Sequence, residues 1–191
     1  MPVPLEVLEP RFQTLVRRLI KLCAEQGVEM RPYQALRTPL EQARYWRQSR
    51  SREEIRRKVE ELRRKQAPFL ADCIERVGPQ FGPEITRAIP GLSWHQWGEA
   101  VDCFWVVKGR AEWSTQKKVG GSNGYHVYAD EARRIGLTAG GHWTRFRDWP
   151  HVQLRESSSP LKEYKIAEVD RIMRIRFQKA LDAVAPIVVE L

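Results

Sequence analysis

The sequence predicts one folded domain that mixes amphipathic helices with a few short strands, and three observations carry that expectation. The chain has 191 residues, enough for one well-cored domain and too few for two full ones. Hydrophobic residues make up 42% and charged residues 30%, the balance of a globular protein rather than a disordered one. Helical spacing governs both ends of the chain, whereas residues 85–154 break into short segments and loops around one helix. No internal repeat or low-complexity linker interrupts it. The expected organisation is a domain over residues 1–155 that carries the chemistry, with residues 156–191 as its helical C-terminal extension.

Taken in order, Phe12, Leu15, Val16, Leu19, Ile20 and Cys23 fall on one helical face, and Gly27 follows as a C-terminal cap. Residues 10–26 are therefore expected to form a helix. Val28–Leu36 reads as extended, because Met30 stands before Arg31-Pro32 and the segment carries Val and Tyr. Thr38, Pro39 and Glu41 have the spacing of a capped helix start, and Ser51 with Glu54 repeats that capping box. The helix over 51–66 has a narrow stripe of Ile55, Val59 and Leu62. Four Glu-to-Lys/Arg pairs follow at i,i+4: Glu53–Arg57, Glu54–Lys58, Glu60–Arg64 and Glu61–Lys65. Further helices are expected over 68–77, over 125–135 with Gly136 as terminator, and from Ser159-Pro160 onward. Ala100–Trp105 and Val152–Leu154 read as strands.

The charge is +9, from 33 basic and 24 acidic residues. That balance favours an anionic partner: nucleic acid, acidic lipid or the anionic polymers of a cell envelope. Nucleic acid is the weakest of these. The basic residues of the 51–66 helix are matched by Glu, and no recognised nucleic-acid-binding motif is present. Cys23, Cys73 and Cys103 are widely spaced among apolar neighbours, which points to buried free thiols rather than disulfides or a cysteine metal site. Met1–Met30 lacks a cationic start followed by an apolar run, and no apolar stretch approaches a membrane span in length. A monomer made in the cytoplasm, without secretory signal or membrane span, is expected.

Chemistry concentrates in two turn-rich motifs. The first runs from Ser93 through His95 and Gly98 to Asp102. A His and an Asp seven residues apart can meet at one metal only if the chain turns between them, and Gly98 supplies that turn. Asp102 lies within the strand-like Ala100–Trp105, and a carboxylate in an apolar setting needs a counter-charge such as a metal ion. The second motif is Asp148-Trp149-Pro150-His151. Three protein ligands from His and carboxylate side chains, with a fourth position open, suit catalytic zinc. A carboxylate three residues before a ligand His suits a general base. Taken singly, the pieces have plainer readings: a lone buried His as a core residue, and Asp148 as a turn cap. His126 reads as structural or surface, and His142 in Gly140-Gly141-His142-Trp143 as a residue that could flank the site.

Ser-x-His-x-x-Gly-x-Ala-x-Asp over Ser93–Asp102, with Asp-x-x-His over Asp148–His151, resembles the D-alanyl-D-alanine carboxypeptidase and L-alanyl-D-glutamate endopeptidase family. That family includes vancomycin-resistance D,D-peptidases and several phage endolysins. Leu36-Arg37-Thr38 with Glu41-Gln42 is similar to its Arg-(Ser/Thr)-x-x-x-Gln segment. Gly136-Leu137 through Gly140-Gly141-His142-Trp143 is similar to the family's approach to its last ligand, although His142 stands where the family often has Asp. In all, the resemblance covers residues 10–155. It implies an α+β fold in which a small antiparallel sheet carries a zinc site and helices pack around it. It also implies roles: His95, Asp102 and His151 as zinc ligands, Asp148 as base, Arg37 facing the substrate's carbonyl or carboxylate, and Ser93 and Gln42 positioning substrate or neighbouring groups. A fixed guanidinium suits the task given to Arg37, because it is always charged and can stabilise an oxyanion.

The function so implied is zinc-dependent hydrolysis of a peptidoglycan peptide next to a D-amino acid. The Arg37–Gln42 and Ser93–Gly98 segments look more like the lysin branch, which favours an L-alanyl-D-glutamate endopeptidase stored in the cytoplasm and released onto an anionic envelope, as a phage lysin is. D-alanyl-D-alanine carboxypeptidase and a non-catalytic wall-binding domain are the alternatives. The charged 51–66 helix lengthens the stretch before the first ligand, and nothing after Arg155 matches a motif.

Overall fold

The computed structural model describes residues 3–184. They group into two compact units: 3–36 with 97–156, and 37–96 with 157–184. The fold is α+β, as the resemblance implies, with six α-helices and a small antiparallel sheet among the described residues.

The first unit contains the sheet. Helix α1 (Pro10–Glu25) opens with Glu9 accepting the Phe12 N–H at 2.8 Å and Pro10 in its first turn. It buries Phe12, Val16, Leu19 and Cys23 along one face and ends before Gly27, whose φ of +73° few other residues tolerate. Strand β1 (Glu29–Gln34) follows, then β2 (Ala100–Val107), β3 (Arg110–Glu112), helix α5 (Gly124–Arg134), β4 (Thr138–Ala139) and β5 (His151–Gln153). The strands run in the order β1-β2-β5-β4, with β3 paired to β2. Pro32 lies in β1 because β1 is the edge strand, where a missing N–H costs no ladder bond. The pairing of β1 with β2 shifts register between Pro32 and Gln34.

Alternation along β2 divides its side chains between two faces. Val101, Cys103 and Trp105 enter a core made with Phe12, Val16 and Leu19 of α1 and Tyr125, Tyr128 and Ala132 of α5. Asp102 and Phe104 take the opposite face. Helix α5 approaches so closely that a Cβ on Gly124 would meet the Trp105 ring at 2.4 Å. Cys23 and Cys103 are buried free thiols, and burial pushes both up to about 12, which leaves them unreactive.

The second unit is helical: α2 (Pro39–Arg47), α3 (Arg52–Arg64), α4 (Pro68–Arg76) and α6 (Ile166–Asp182). Both expected capping boxes form, Thr38 with Glu41 and Ser51 with Glu54. Cys73, the third free thiol, is buried on α4. The start of α6 differs from expectation. Ser159-Pro160 begins only a short 3₁₀ turn, Pro160–Lys162, and the long helix starts six residues later. The reason is local: Lys165 is extended, and its N–H donates to the Glu168 carboxylate at 2.7 Å, which is the cap that starts α6. Helix α6 packs within this unit, where Asp170 accepts the Leu70 N–H at 2.9 Å and Arg76 donates to the Val184 carbonyl at 2.7 Å. Residues 185–191 of the anticipated C-terminal extension lie outside the described residues. Among those described, no helix is long and apolar enough to cross a membrane.

Candidate metal centre

Local backbone sets the first motif. The Gln96 N–H donates to the Ser93 carbonyl at 3.0 Å, so the chain winds into a 3₁₀ turn over Trp94–Trp97 that carries His95. Gly98 ends it with φ of +73°, and a Cβ there would press within 3.2 Å of the Val7 carbonyl and the Glu9 nitrogen. Only glycine makes that turn without moving the backbone.

The second motif is set by strand pairing. In the β2–β5 ladder Asp102 stands directly opposite His151, so their side chains leave the same face as neighbours. His151 Nδ1 lies 2.9 Å from Asp102 Oδ1, and both residues are buried. The turn before β5 is tied down by the Asp148 N–H to Gly140 carbonyl bond at 3.1 Å and the His151 N–H to Asp148 carbonyl bond at 3.2 Å. A Cβ on Gly140 would stand 2.3 Å from that same Asp148 oxygen, so the Gly140-Gly141 pair gives the Asp148 turn room to close. Trp143 borders the centre, its ring 5.3 Å from that of His151.

His95, Asp102 and His151 can each offer one ligand atom, and these atoms lie within 4.8 Å of one another. Two imidazole nitrogens and one carboxylate, all buried and this close, are the donor set of an open zinc site. The donor chemistry and the mutual distances both fit. Burial works against the charged form of the His151 ring. The Asp102 hydrogen bond and the charges of Asp102 and Asp148 outweigh it and hold the ring's pKa above its ordinary value.

Asp148 is half-buried, three residues before His151. Arg37 is also half-buried. Its backbone N–H donates to the His95 carbonyl at 3.2 Å, its guanidinium reaches Gln42 Oε1 at 3.0 Å, and the Tyr45 ring lies 5.1 Å beneath it. Gln42 is fully buried: Oε1 also accepts from Gln96, and its amide nitrogen donates to the Ala88 carbonyl at 2.7 Å. It is thus placed to hold Arg37 in position. Ser93 is half-buried at the turn that begins the His95 segment. His126 is exposed and stacks on Trp149 with rings 4.4 Å apart, and His142 is exposed with Nε2 3.2 Å from Asp130.

Two features escaped the sequence reading. Gln153 lies against His151, a relation that period-2 counting from His151 along a strand could have found. The face of β2 that bears Asp102 continues into Phe104, whose ring lies 6.2 Å from exposed Tyr33 and 5.8 Å from exposed Trp113. Burial and then the charges of Asp102 and Asp148 raise the Tyr33 pKa, so this aromatic group feels the same carboxylates as the centre.

Residues 87–154 match the peptidase family model described as D-alanyl-D-alanine carboxypeptidase. Over these residues the resemblance to that family is borne out. The matched segment contains His95, Asp102, Asp148 and His151, so the three residues able to hold a metal ion all lie within it. Two solved structures are similar. One is a Serratia marcescens L-Ala D-Glu endopeptidase, ChiX, at 21% identity over 79% of this chain and 83% of that one, with a TM-score of 0.41. The other is VanY, a vancomycin-resistance D,D-pentapeptidase from a VanB-type resistance cassette in complex with Zn(II), at 18% identity over 87% and 78% and the same TM-score of 0.41. No curated protein matches.

Proposed function

We propose that this chain is a peptidoglycan peptidase that hydrolyses a peptide bond beside a D-amino acid, with zinc held by His95, Asp102 and His151. The observation that carries the reading is the coincidence of the three buried donors and Asp148 with the stretch that matches the peptidase family. Bound zinc supplies Lewis acidity that makes water nucleophilic at neutral pH and polarises the scissile carbonyl. Asp148 takes the proton of the attacking water and returns it to the leaving amine. Arg37 presents a fixed cation to the oxyanion that develops on the carbonyl, and Gln42 keeps the guanidinium in place. Ser93 positions substrate beside His95. A net charge of +9 favours approach to an anionic envelope.

Within that class, we read the bond as L-alanyl-D-glutamate and the enzyme as an endolysin-type endopeptidase, on the character of the Arg37–Gln42 and Ser93–Gly98 segments. The description of the matching family favours a second reading, removal of a terminal D-alanine.

Incubating the protein and zinc with defined muropeptides, then weighing the products, separates the two. A cut between L-alanine and D-glutamate supports the endopeptidase, and loss of one D-alanine supports the carboxypeptidase. Asp148→Asn should keep its zinc and lose about 10²–10⁴-fold of the rate, the usual effect of removing a general base. Zinc binding without hydrolysis of any muropeptide would sink the enzymatic reading in favour of a wall-binding domain.

A further inference from the structure

Gln153 lies on β5 two residues beyond His151, so the two side chains leave the same face of the strand. It is only 2% exposed, and both ends of its amide are engaged. The amide nitrogen is 2.6 Å from the Arg155 carbonyl oxygen, a group that can only accept. That contact fixes the amide's orientation and turns Oε1 toward His151 Nε2, 3.1 Å away. A carbonyl oxygen also only accepts, so the hydrogen between them belongs to Nε2. The anchor behind it is firm. Glu99, itself buried, binds the Arg155 guanidinium through both carboxylate oxygens at 2.6 and 3.0 Å, and its carbonyl accepts the Leu154 N–H at 2.9 Å.

With a hydrogen on Nε2, the neutral imidazole presents a lone pair at Nδ1. That nitrogen lies 2.9 Å from Asp102 Oδ1, another lone-pair donor. Two such atoms aimed at each other in a buried site need a cation between them, either a proton, which makes the contact a hydrogen bond, or a metal ion. We propose that Gln153 is a positioning residue for the metal centre: it keeps the His151 proton on Nε2 and so commits Nδ1 to the metal. The assignment rests on the zinc reading above and adds to it which ring nitrogen ligates and what enforces the choice. Partners of ligand histidines act this way generally, by fixing the tautomer and raising ligand basicity.

The test measures zinc affinity of the full chain by chelator competition in wild type, Gln153→Leu and Gln153→Glu. Leucine keeps the bulk and removes the acceptor, so affinity should fall about 10–100-fold, the usual effect of losing such a partner. Glutamate restores an acceptor for Nε2–H and should recover most of that loss. A merely structural role would instead make both variants equally weak, with lower melting temperatures in the absence of zinc. Long-range ¹H–¹⁵N spectra of zinc-loaded wild type give a reading that needs no variant: His151 should show a protonated Nε2 and a metal-bound Nδ1. Metal on Nε2, wild-type affinity in Gln153→Leu, or no rescue by glutamate overturns the assignment while leaving the zinc centre intact. Failure of wild type to bind zinc overturns the centre itself, and this assignment with it.

Discussion

Along α3, Glu53, Arg56, Glu60, Lys58, Glu61 and Lys65 form a ladder of ion pairs in water, whereas on β2 and β5 Asp102, His151 and Gln153 form a chain of hydrogen bonds buried from it. The partners on α3 are interchangeable. Of the four i,i+4 pairs expected there, Glu53–Arg57 and Glu61–Lys65 are present at 3.3 and 2.7 Å. Glu54 instead caps Ser51, Lys58 turns to Glu61, and Glu60 takes Arg56. Water stands ready to replace any partner, so each exchange costs little. In the buried chain the strand register gives each group a fixed neighbour, and an unpaired charge there has no solvent to turn to. The number of charged contacts says little about their worth; the availability of water decides it.

The sharpest way to break this comparison is to remove a buried donor. Asp102→Ala should lower zinc from about one ion per chain to near zero, because an open site needs all three protein ligands. Metal analysis of protein purified without chelator checks this. Full zinc occupancy in the variant would show that the buried network tolerates exchange as freely as the surface ladder does.

Arg37 tests an intermediate case, a half-buried cation whose neighbour Gln42 has both ends of its amide bonded. Arg37→Ala should reduce turnover by about 10²-fold, as loss of one oxyanion-stabilising donor does, with melting temperature and zinc content nearly unchanged. Arg37→Lys keeps the charge without the planar fork and should retain part of the activity. Wild-type kinetics in the alanine variant would place Arg37 with the surface ion pairs.

The smallest effect is expected on α3. Hydrogen bonds from Lys58 and Lys65 hold the Glu61 carboxyl down at about 2, against an ordinary 4.5. A carboxylate with a depressed folded pKa contributes stability above its unfolded value and loses it as pH falls toward its folded value. Glu61→Gln should therefore destabilise by no more than ~1 kcal/mol at pH 7, since the pairs are solvent-screened. Its melting curve should converge with wild type as pH drops from 4.5 toward 2. A deficit that persists at the acid end would mean that Glu61 matters through packing rather than charge.

Much of the local structure is legible in the sequence alone. The Thr38–Glu41 and Ser51–Glu54 boxes, the glycines at 27, 98 and 136 and the apolar face of α1 all read correctly because each involves residues close in sequence. The chemical identity of the donors was legible too, since few residue types bind zinc and only four histidines exist. The start of α6 was missed because Ser159-Pro160 has the signature of a helix start, while the cap that acts is the Glu168 carboxylate on the Lys165 N–H.

By itself, then, the sequence determined the helices with their caps, the turn at Gly98 and the stock of groups able to hold a metal, because those depend on contacts within a few residues. Only tertiary structure decided that Asp102 faces His151, 49 residues away, since a one-residue slip of β5 against β2 would turn one of them into the core. It likewise decided that the start of α4, preceded by Ala67 with no capping side chain, is capped by Asp170 from 100 residues further on. Such partners belong to strand register and helix packing, and nothing in the local sequence around either residue names the other.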